Sequence, residues 1–267
     1  MRSRSSIFVL FAALLTIAAA LTATAANAQS TASSKLTFCT DISYPPEESF
    51  KGTKPIGSDI DIGNAVAKLL GKTAVFKNTV FDSIIPALLT RHCDAIISGM
   101  NDTAKRRKQV DFVDYLKVGQ TVMVKRGNPE HIKSLADLSG KSISVESGTT
   151  NRDFLAAESA KLVKQGKKPI SIKTFPKDTD AAAALKAGKV AAYFGDSPVV
   201  VFYIAKDKSF GLGPTPINPI PIGIAIRKHD PLKAKIQKAI NTLYANGTMK
   251  KIVAKWGMTH AVTLLKK

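Results

Sequence analysis

The chain has 267 residues, 45% hydrophobic and 7% aromatic, with 39 Lys and Arg against 20 Asp and Glu. At about 100–200 residues per domain this suits one large domain or two modest ones, and 17 Gly with 13 Pro excludes collagen-like and disordered chains. Two cysteines, Cys39 and Cys93, cannot support a disulfide-dense scaffold or a four-thiolate zinc site, and the four histidines never fall at metal-ligand spacing.

Arg2 and Arg4 precede an apolar stretch from Ile7 to Leu21, and Ala26-Asn27-Ala28 has the small-x-small form of a cleavage site. Residues 1–28 therefore read as a secretory signal peptide cut before Gln29, shorter than the ~20 apolar residues of a spanning helix. No cysteine follows the apolar run to carry a lipid, so the mature chain is expected in the periplasm without a membrane anchor. It keeps 37 basic and 20 acidic residues, and the excess grows from +2 over residues 29–119 to +9 over 218–267. Lysines dominate, 31 against 8 arginines in the whole chain, whereas bidentate phosphate and base recognition favours arginine. The tail's Lys233, Lys235, Lys238, Lys250, Lys251 and Lys255 sit at helical spacing among apolar residues. That is a solvated helix face, and nucleic acid is not an expected partner.

Short apolar runs then alternate with amphipathic stretches. Leu36 to Thr40 reads as a strand stopping at Asp41 and the Tyr44-Pro45-Pro46 turn. Asp59 to Leu70 has a helical stripe of Ile62, Val66, Leu69 and Leu70 that ends at Gly71. Ala74 to Phe76 is a strand, Phe81 to Leu89 a helix with Pro86 in its first turns, and Ala95 to Gly99 a buried strand running into a loop. The rhythm repeats with strands at 142–145, 170–175 and 190–194 and helices at 149–165 and 179–187. Gly211 to Pro221 reads as a stiff extended connector, followed by a strand at 222–226. A helix capped by Asp230 with Pro231 at its first position comes next, and a short one from Thr248 ends towards Trp256.

This pattern predicts an α/β protein of two lobes, each a mainly parallel sheet flanked by helices, with the ligand in the cleft between them. Lobe 1 is discontinuous (29–119 plus 218–267) and lobe 2 is 120–217, so two crossing segments near 119–124 and 214–219 should form a hinge. Cys39 and Cys93 are expected to stay reduced. In adjacent parallel strands they would be offset by about three residues, roughly 10 Å at ~3.3 Å each, beyond the ~7 Å reach of a disulfide.

Several chemistries fail on spacing. Gly71-Lys72-Thr73 and Gly140-Lys141-Ser142 lack the earlier glycine of a phosphate-binding loop, where Val66 and Leu135 stand instead. Gly211-Leu212-Gly213 runs into prolines rather than a helix, and no G-x-S-x-G elbow occurs. Arg106 lies in the basic run Lys105 to Lys108 and alone reads as a surface residue or an anion clamp. Asp196, before Ser197-Pro198, reads as a turn aspartate or an acceptor at a strand end, and Tyr44 and Phe81 as core or pocket rings. Asp59 and Asp61, two apart at a helix start, are explained by the helix N-terminus rather than by acid–base chemistry.

Taken together, the loops resemble a known family. Asp41-x-x-Tyr44-Pro45-Pro46, Gly57-x-Asp59-Ile60-Asp61-Ile62, Phe81-Asp82-x-Ile84-Ile85-Pro86 and Asp94 to Met100 with Thr103 and Arg106 occur in order. Asp111-Phe112, Gly148-Thr149-Thr150, Ala192 to Asp196 and Asn246-Gly247-Thr248 follow. Over residues 35–257 the chain resembles the periplasmic polar-amino-acid-binding proteins of ABC importers. Two positions depart from that pattern: Ser58 stands where an aromatic or aliphatic residue is usual, and Glu47 where Phe or Met is frequent.

The resemblance implies a ligand site of Asp41, Tyr44, Phe81, Ser98, Gly99, Met100, Asn101, Arg106, Thr149, Thr150, Asn151 and Asp196, with no catalytic residue, metal or cofactor. Arg106 and the amides at Thr149-Thr150 would hold the ligand carboxylate, and Asp196 with Ser98 and the Gly99 carbonyl would hold the ammonium. Tyr44 and Phe81 would sandwich the side chain. Asp41 occupies the position that holds a distal nitrogen in basic-amino-acid receptors. Five acids against two lysines in residues 41–61 favour a cationic ligand, provided that Glu47 and Glu48 do not face solvent. The expected partners are a free amino acid and an ABC permease, and the expected state is a monomer. The rival reading is an enzyme on the same fold, similar to cyclohexadienyl dehydratase, in which Glu47 or Glu146 would supply the acid.

Overall fold

Burial of alternating strand faces beneath amphipathic helices organises the chain. The computed structural model describes residues 34–214 and 217–265; the signal peptide predicted over 1–28 lies outside them. The elements are β1 (Lys35–Thr40), β2 (Ser49–Lys51), β3 (Lys54–Ile56), α1 (Ser58–Leu69), β4 (Thr73–Asn78), α2 (Ile84–Leu89), β5 (Ala95–Ile96), α3 (Ala104–Arg107) and β6 (Val110–Lys125). After them come β7 (Ser142–Glu146), α4 (Thr150–Lys164), β8 (Ser171–Phe175), α5 (Asp178–Lys186), β9 (Ala192–Asp196) and α6 (Ser197–Lys206). The last are β10 (Phe210–Leu212), β11 (Ile217–Arg227), α7 (Leu232–Ala245), α8 (Thr248–Lys255) and β12 (Val262–Leu264).

One sheet runs β4-β1-β5-β11-β6-β9-β7-β8, with β10 and β12 pairing onto β6, while β2 and β3 form a separate hairpin. It has two parallel halves, β4-β1-β5 and β9-β7-β8, joined through the antiparallel strands β11 and β6. β6, 16 residues long, is the crossing segment read as a hinge: Gln120 pairs with Ile217 on one side and Asp196 on the other. The supposed connector after Gly211 is itself β10 and β11 where it is described.

Each half is covered on both faces. Leu36, Phe38, Ile62, Val66, Tyr115, Ile224 and Ile240 pack beneath α1 and α7, while Ile84, Leu88, Ile96, Val110 and Phe112 fill the opposite face. In the other half Ile143, Val145, Leu155, Leu162 and Phe194 form one cluster, and Met123, Leu185, Tyr193, Val199 and Phe210 a second. Ile62 and Val66 of α1 are fully buried, each contributing about 1.5–3 kcal/mol of transfer free energy. Pro86 is the third residue of α2, where its missing N–H costs no helical bond, because Phe81–Ser83 form a separate 3-10 turn. α6 was not legible in advance. Its run Val199-Val200-Val201 is β-branched, but Pro198 in the first turn, directly after Asp196, fixes a helix start.

The cysteines correct the sequence reading. Strand register does pair Cys39 with Ile96, three residues past Cys93, as anticipated. Yet the two cysteines form a disulfide with Cα atoms 5.6 Å apart. β5 holds only two residues, and the chain before it turns rather than extending, with Arg91 at φ 62° and the Asp94 amide donating to the Thr37 carbonyl at 2.8 Å. Extrapolating strand geometry back to Cys93 was therefore the error. The bridge spans 54 residues of sequence, a loop whose closure removes about 4 kcal/mol of unfolded-state entropy in the chain-entropy model. Replacing both cysteines by serine is expected to lower unfolding free energy by about 2–4 kcal/mol in chemical denaturation. An unchanged denaturation midpoint and slope would contradict this.

Candidate functional site

The carboxyl ends of β1, β5, β7 and β9 bring their following residues to one place. Asp41 follows β1, Ser98 to Asn101 follow β5, Glu146 ends β7 before the α4 N-terminus, and Asp196 ends β9. Ten residues line a small pocket there: Asp41, Tyr44, Phe81, Ser98, Gly99, Asn101, Glu146, Thr149, Asn151 and Asp196, packed closely enough to leave a cavity of only about 10 Å³. Nine of the twelve residues expected from the sequence are in that lining.

The other three sit differently. Arg106 lies beside the pocket, only 8% exposed, and donates to the Asn101 carbonyl at 2.9 Å and the Gly148 carbonyl at 3.2 Å. Its guanidinium carbon lies 5.2 Å from the centre of the Phe81 ring. Thr103 places it by accepting from the Arg106 amide at the start of α3. The neighbouring Arg107 is exposed and pairs with Asp102. Of the two adjacent arginines, Arg106 is therefore not the surface residue of the basic run. Thr150 directs its hydroxyl to Asn101 Oδ1 rather than to the pocket. Met100 is a correction: its side chain packs in the core with Ile84 and Ile96, because the chain beyond β5 still alternates inward at that position.

Second contacts fix the lining groups. Asp41 accepts from the Ser43 hydroxyl at 2.7 Å and the Phe81 amide at 2.8 Å. Ser98 accepts from the Asp41 amide at 2.9 Å and donates to Glu48 at 2.8 Å, while Asp59 receives the Gly99 amide and the Tyr115 hydroxyl, both at 2.7 Å. Thr149 caps α4 by accepting from the Arg152 amide. Asn151 donates to Asp196 at 3.2 Å and is itself held by Gln120 at 2.6 Å.

Several of these bonds cross between the two halves of the sheet. The Asp196 amide reaches the Tyr44 hydroxyl at 3.4 Å, the Asp178 amide reaches Ser43 at 3.4 Å, and Ser147 donates to Asp82. Gly148, at φ 71°, is required here, since a Cβ would stand 2.1 Å from an Asp82 oxygen.

Burial dominates the electrostatics. It raises the carboxyl pKa of Asp59 and Asp196 to about 6 and that of Asp178 to about 7, against hydrogen bonds that favour ionisation. It also raises Asp41, and lifts Glu47, Glu48 and Glu146 well above the usual carboxylate range, with neighbouring acids adding to each of these three. Glu47 and Glu48, whose orientation the sequence left open, are both buried. Arg106 is lowered to about 10 by burial, offset by Asp196, and stays charged at neutral pH.

Glu146 is the pocket residue that sequence reasoning left out of the site. The available signal was an acid ending the strand Ser142–Glu146, two residues before Gly148. The pocket thus has three acids, Asp41, Glu146 and Asp196, in its lining, the start of α4 and the Tyr44 and Phe81 rings on its walls, and the buried Arg106 beside it. Among the described residues no three His, Cys, Asp or Glu are placed to hold a metal ion, and no helix is long and apolar enough to cross a membrane.

Two sheet halves joined by paired crossing strands, with a small polar pocket where their loops meet, define a two-lobe binding fold of the periplasmic type. The chain belongs to the bacterial extracellular solute-binding proteins, family 3, whose family model matches residues 36–259. The ABC transporter arginine-binding protein 1 of Escherichia coli (strain K12) is 33% identical over 232 residues, covering 83% of this chain and 90% of that protein. An ancestral arginine-binding protein, solved bound to arginine and also bound to glutamine, matches with a TM-score of 0.76 at 36% identity, over 84% of this chain and 98% of that one. An ancestral amino acid-binding protein described as a precursor of cyclohexadienyl dehydratase matches with a TM-score of 0.75 at 33% identity, over 84% and 95%.

The raised acids make a prediction about stability. Between about pH 4 and pH 7, Asp59, Asp196 and Asp178 hold more protons folded than unfolded, so ligand-free stability rises as pH falls through that window. Surface acids with lowered values, such as Asp111, Glu130 and Asp207, act oppositely, but only below about pH 5. The melting temperature is expected to be higher at about pH 5 than at about pH 8, with the difference reduced in Asp178→Asn. A melting temperature that drops towards pH 5 would contradict it.

Proposed function

We propose that the chain is exported, cleaved before Gln29, and acts in the periplasm as a monomeric receptor for a cationic amino acid, which it delivers to an ABC permease. Lobe 1 (29–119 plus 218–267) and lobe 2 (120–217) close on the ligand about β6 and β11, as hinge-type binding proteins do. The observation that carries this reading is the pocket's acidic lining: Asp41, Glu146 and Asp196 line it, and Arg106 is the buried cation beside it. Arg106 and the first amides of α4 take the ligand carboxylate, Asp196 with Ser98 and the Gly99 carbonyl takes the ammonium, and Asp41 takes the distal nitrogen. A cation between Tyr44 and Phe81 gains ~0.5–2 kcal/mol from the ring faces. The Cys39–Cys93 disulfide suits an oxidising compartment outside the cytoplasm. The arginine- and histidine-binding names of the curated relatives agree with such a ligand.

No chemical step is proposed. Ligand recovered after prolonged incubation is expected to be unchanged by mass spectrometry; a dehydrated product would favour the enzyme reading. Calorimetry should rank arginine, lysine, ornithine or histidine above glutamine and glutamate, and the reverse order would overturn the cationic assignment. Arg106→Ala should cost about 2–5 kcal/mol of binding, roughly thirty- to several-thousand-fold in affinity. Arg107→Ala, on the exposed neighbour, should be nearly silent, so equal affinities for the two variants would remove Arg106 from the carboxylate site. Small-angle scattering should give a smaller radius of gyration with saturating ligand than without. An unchanged radius would count against closure and against the lobe boundaries.

A further inference from the structure

We infer that Glu48 and Asp59 share one proton behind the pocket, with Glu48 as the donor, and that this carboxyl pair positions Ser98 and Gly99. Its effect on binding rests on the reading of those two residues as holders of the ligand ammonium.

Neither acid is among the pocket-lining residues, and both are fully buried. Their backbones are fixed against each other. Glu48 exchanges two backbone hydrogen bonds with Tyr44, both at 2.9 Å. The Ser58 and Asp59 amides donate to the Pro46 and Glu47 carbonyls at 3.0 Å. Gly57 lets the start of α1 come this close, since at φ 146° a Cβ there would stand 1.9 Å from the Glu47 carbonyl oxygen. The turn after Tyr44 and the first residues of α1 thus bring the two side chains together, and Glu48 stands among the hydrogen-bond partners of Asp59.

Each carboxyl commits one oxygen to the loop after β5. Glu48 Oε1 accepts from the Ser98 hydroxyl at 2.8 Å, and that hydroxyl accepts in turn from the Asp41 amide at 2.9 Å. Asp59 Oδ2 accepts from the Gly99 amide and the Tyr115 hydroxyl, both at 2.7 Å. The remaining oxygens, Glu48 Oε2 and Asp59 Oδ1, are buried and have no donor among the described residues as long as both carboxyls are ionised. Two orphaned oxygens in one buried site are costly, and a single proton between them satisfies both.

The proton belongs on Glu48. Burial, then the charges of Asp59 and Glu47, raise the Glu48 carboxyl well above the usual carboxylate range. Burial raises Asp59 too, but hydrogen bonds with the Gly99 amide, the Tyr115 hydroxyl and Glu48 limit it to about 6. Asp59 also sits in the first turn of α1, where the helix dipole favours a negative charge. The other titratable groups facing the pair are Asp41 after β1, Glu47 in the same turn and Tyr115 of β6, none of them a cation. Among the described residues neither carboxyl forms a salt bridge with lysine or arginine. A proton is therefore what keeps the two from repelling each other and displacing the loop they hold.

Urea unfolding of the mature protein between about pH 6 and pH 7 counts the protons taken up on folding, through the slope of unfolding free energy against pH. An unfolded glutamate, with a pKa of about 4.3, holds almost none in that window. Glu48→Gln keeps an acceptor for Ser98 and a donor for Asp59 but has no proton to lose. It should therefore take up about one proton fewer than the wild-type chain; an equal count in the two would overturn the inference. Calorimetry at pH 7 with L-arginine, L-lysine, L-ornithine and L-histidine reads the positioning role. For whichever binds, Glu48→Gln should stay within threefold of wild type. Glu48→Met, of similar volume but without the donor and acceptor, should bind at least tenfold more weakly. Equal affinities in the Gln and Met variants would remove the pair from the positioning of Ser98 and Gly99. The proton count needs only the wild-type chain and Glu48→Gln, so it stands whatever Glu48→Met does to folding. A wild-type chain that binds none of the four ligands, with the proton count as expected, would overturn the receptor reading and leave the shared proton standing.

Discussion

Taking the Arg106 guanidinium out of water is costly unless every donor and the charge itself are compensated, and the compensation here comes from both sides of the cleft. Asn101 and Phe81 lie on one side, Gly148 on the other, and Asp196 supplies the field that keeps the arginine charged. The donors of Arg106 are therefore satisfied where the two walls meet. The loop details serve that contact: Gly148 leaves room for Asp82, Thr103 starts the short helix that aims Arg106, and Asn101 is fastened by Thr150.

The acids are the counterpart of this cation, and they outnumber it. Asp41, Glu47, Glu48, Asp59, Glu146, Asp178 and Asp196 are all buried, and among the described residues none of them forms a salt bridge with a lysine. Crowded carboxyls in low dielectric keep protons rather than share charge, so the closed arrangement is tolerable near neutral pH only partly ionised. Hydrogen bonds from Tyr115 to Asp59 and from Tyr193 and Tyr203 to Asp178 hold the deeper acids in fixed positions. A positively charged guest in the proposed site would favour the ionised form of these carboxyls.

The mechanical frame is simpler. β6 and β11 run side by side between the two halves of the sheet, and their backbone ladder is what joins them. Tyr44 extends the connection through a side chain. It belongs to the turn after β1 yet packs with Met123, Tyr193 and Val199 of the other half. A ligand that touches Tyr44 thus touches a residue that both halves use for packing.

By itself the sequence determined the α/β rhythm and the order of the strand-end loops, because hydrophobic periodicity is a local property, and the family resemblance of those loops implied nine of the ten pocket-lining residues. Sequence position alone did not separate Arg106 from Arg107. Only the tertiary structure buried one and left the other at the surface, since a four-residue helix sets which way each points. The disulfide, the inward turn of Met100 and the burial of Glu47 and Glu48 were likewise decided in three dimensions. Each depends on where a two-residue strand stops and which neighbour closes over it, and spacing along the chain carries no record of that. Glu146 entered the pocket for the same reason: its strand looked like any core strand until β1 and its loop were placed opposite the end of it.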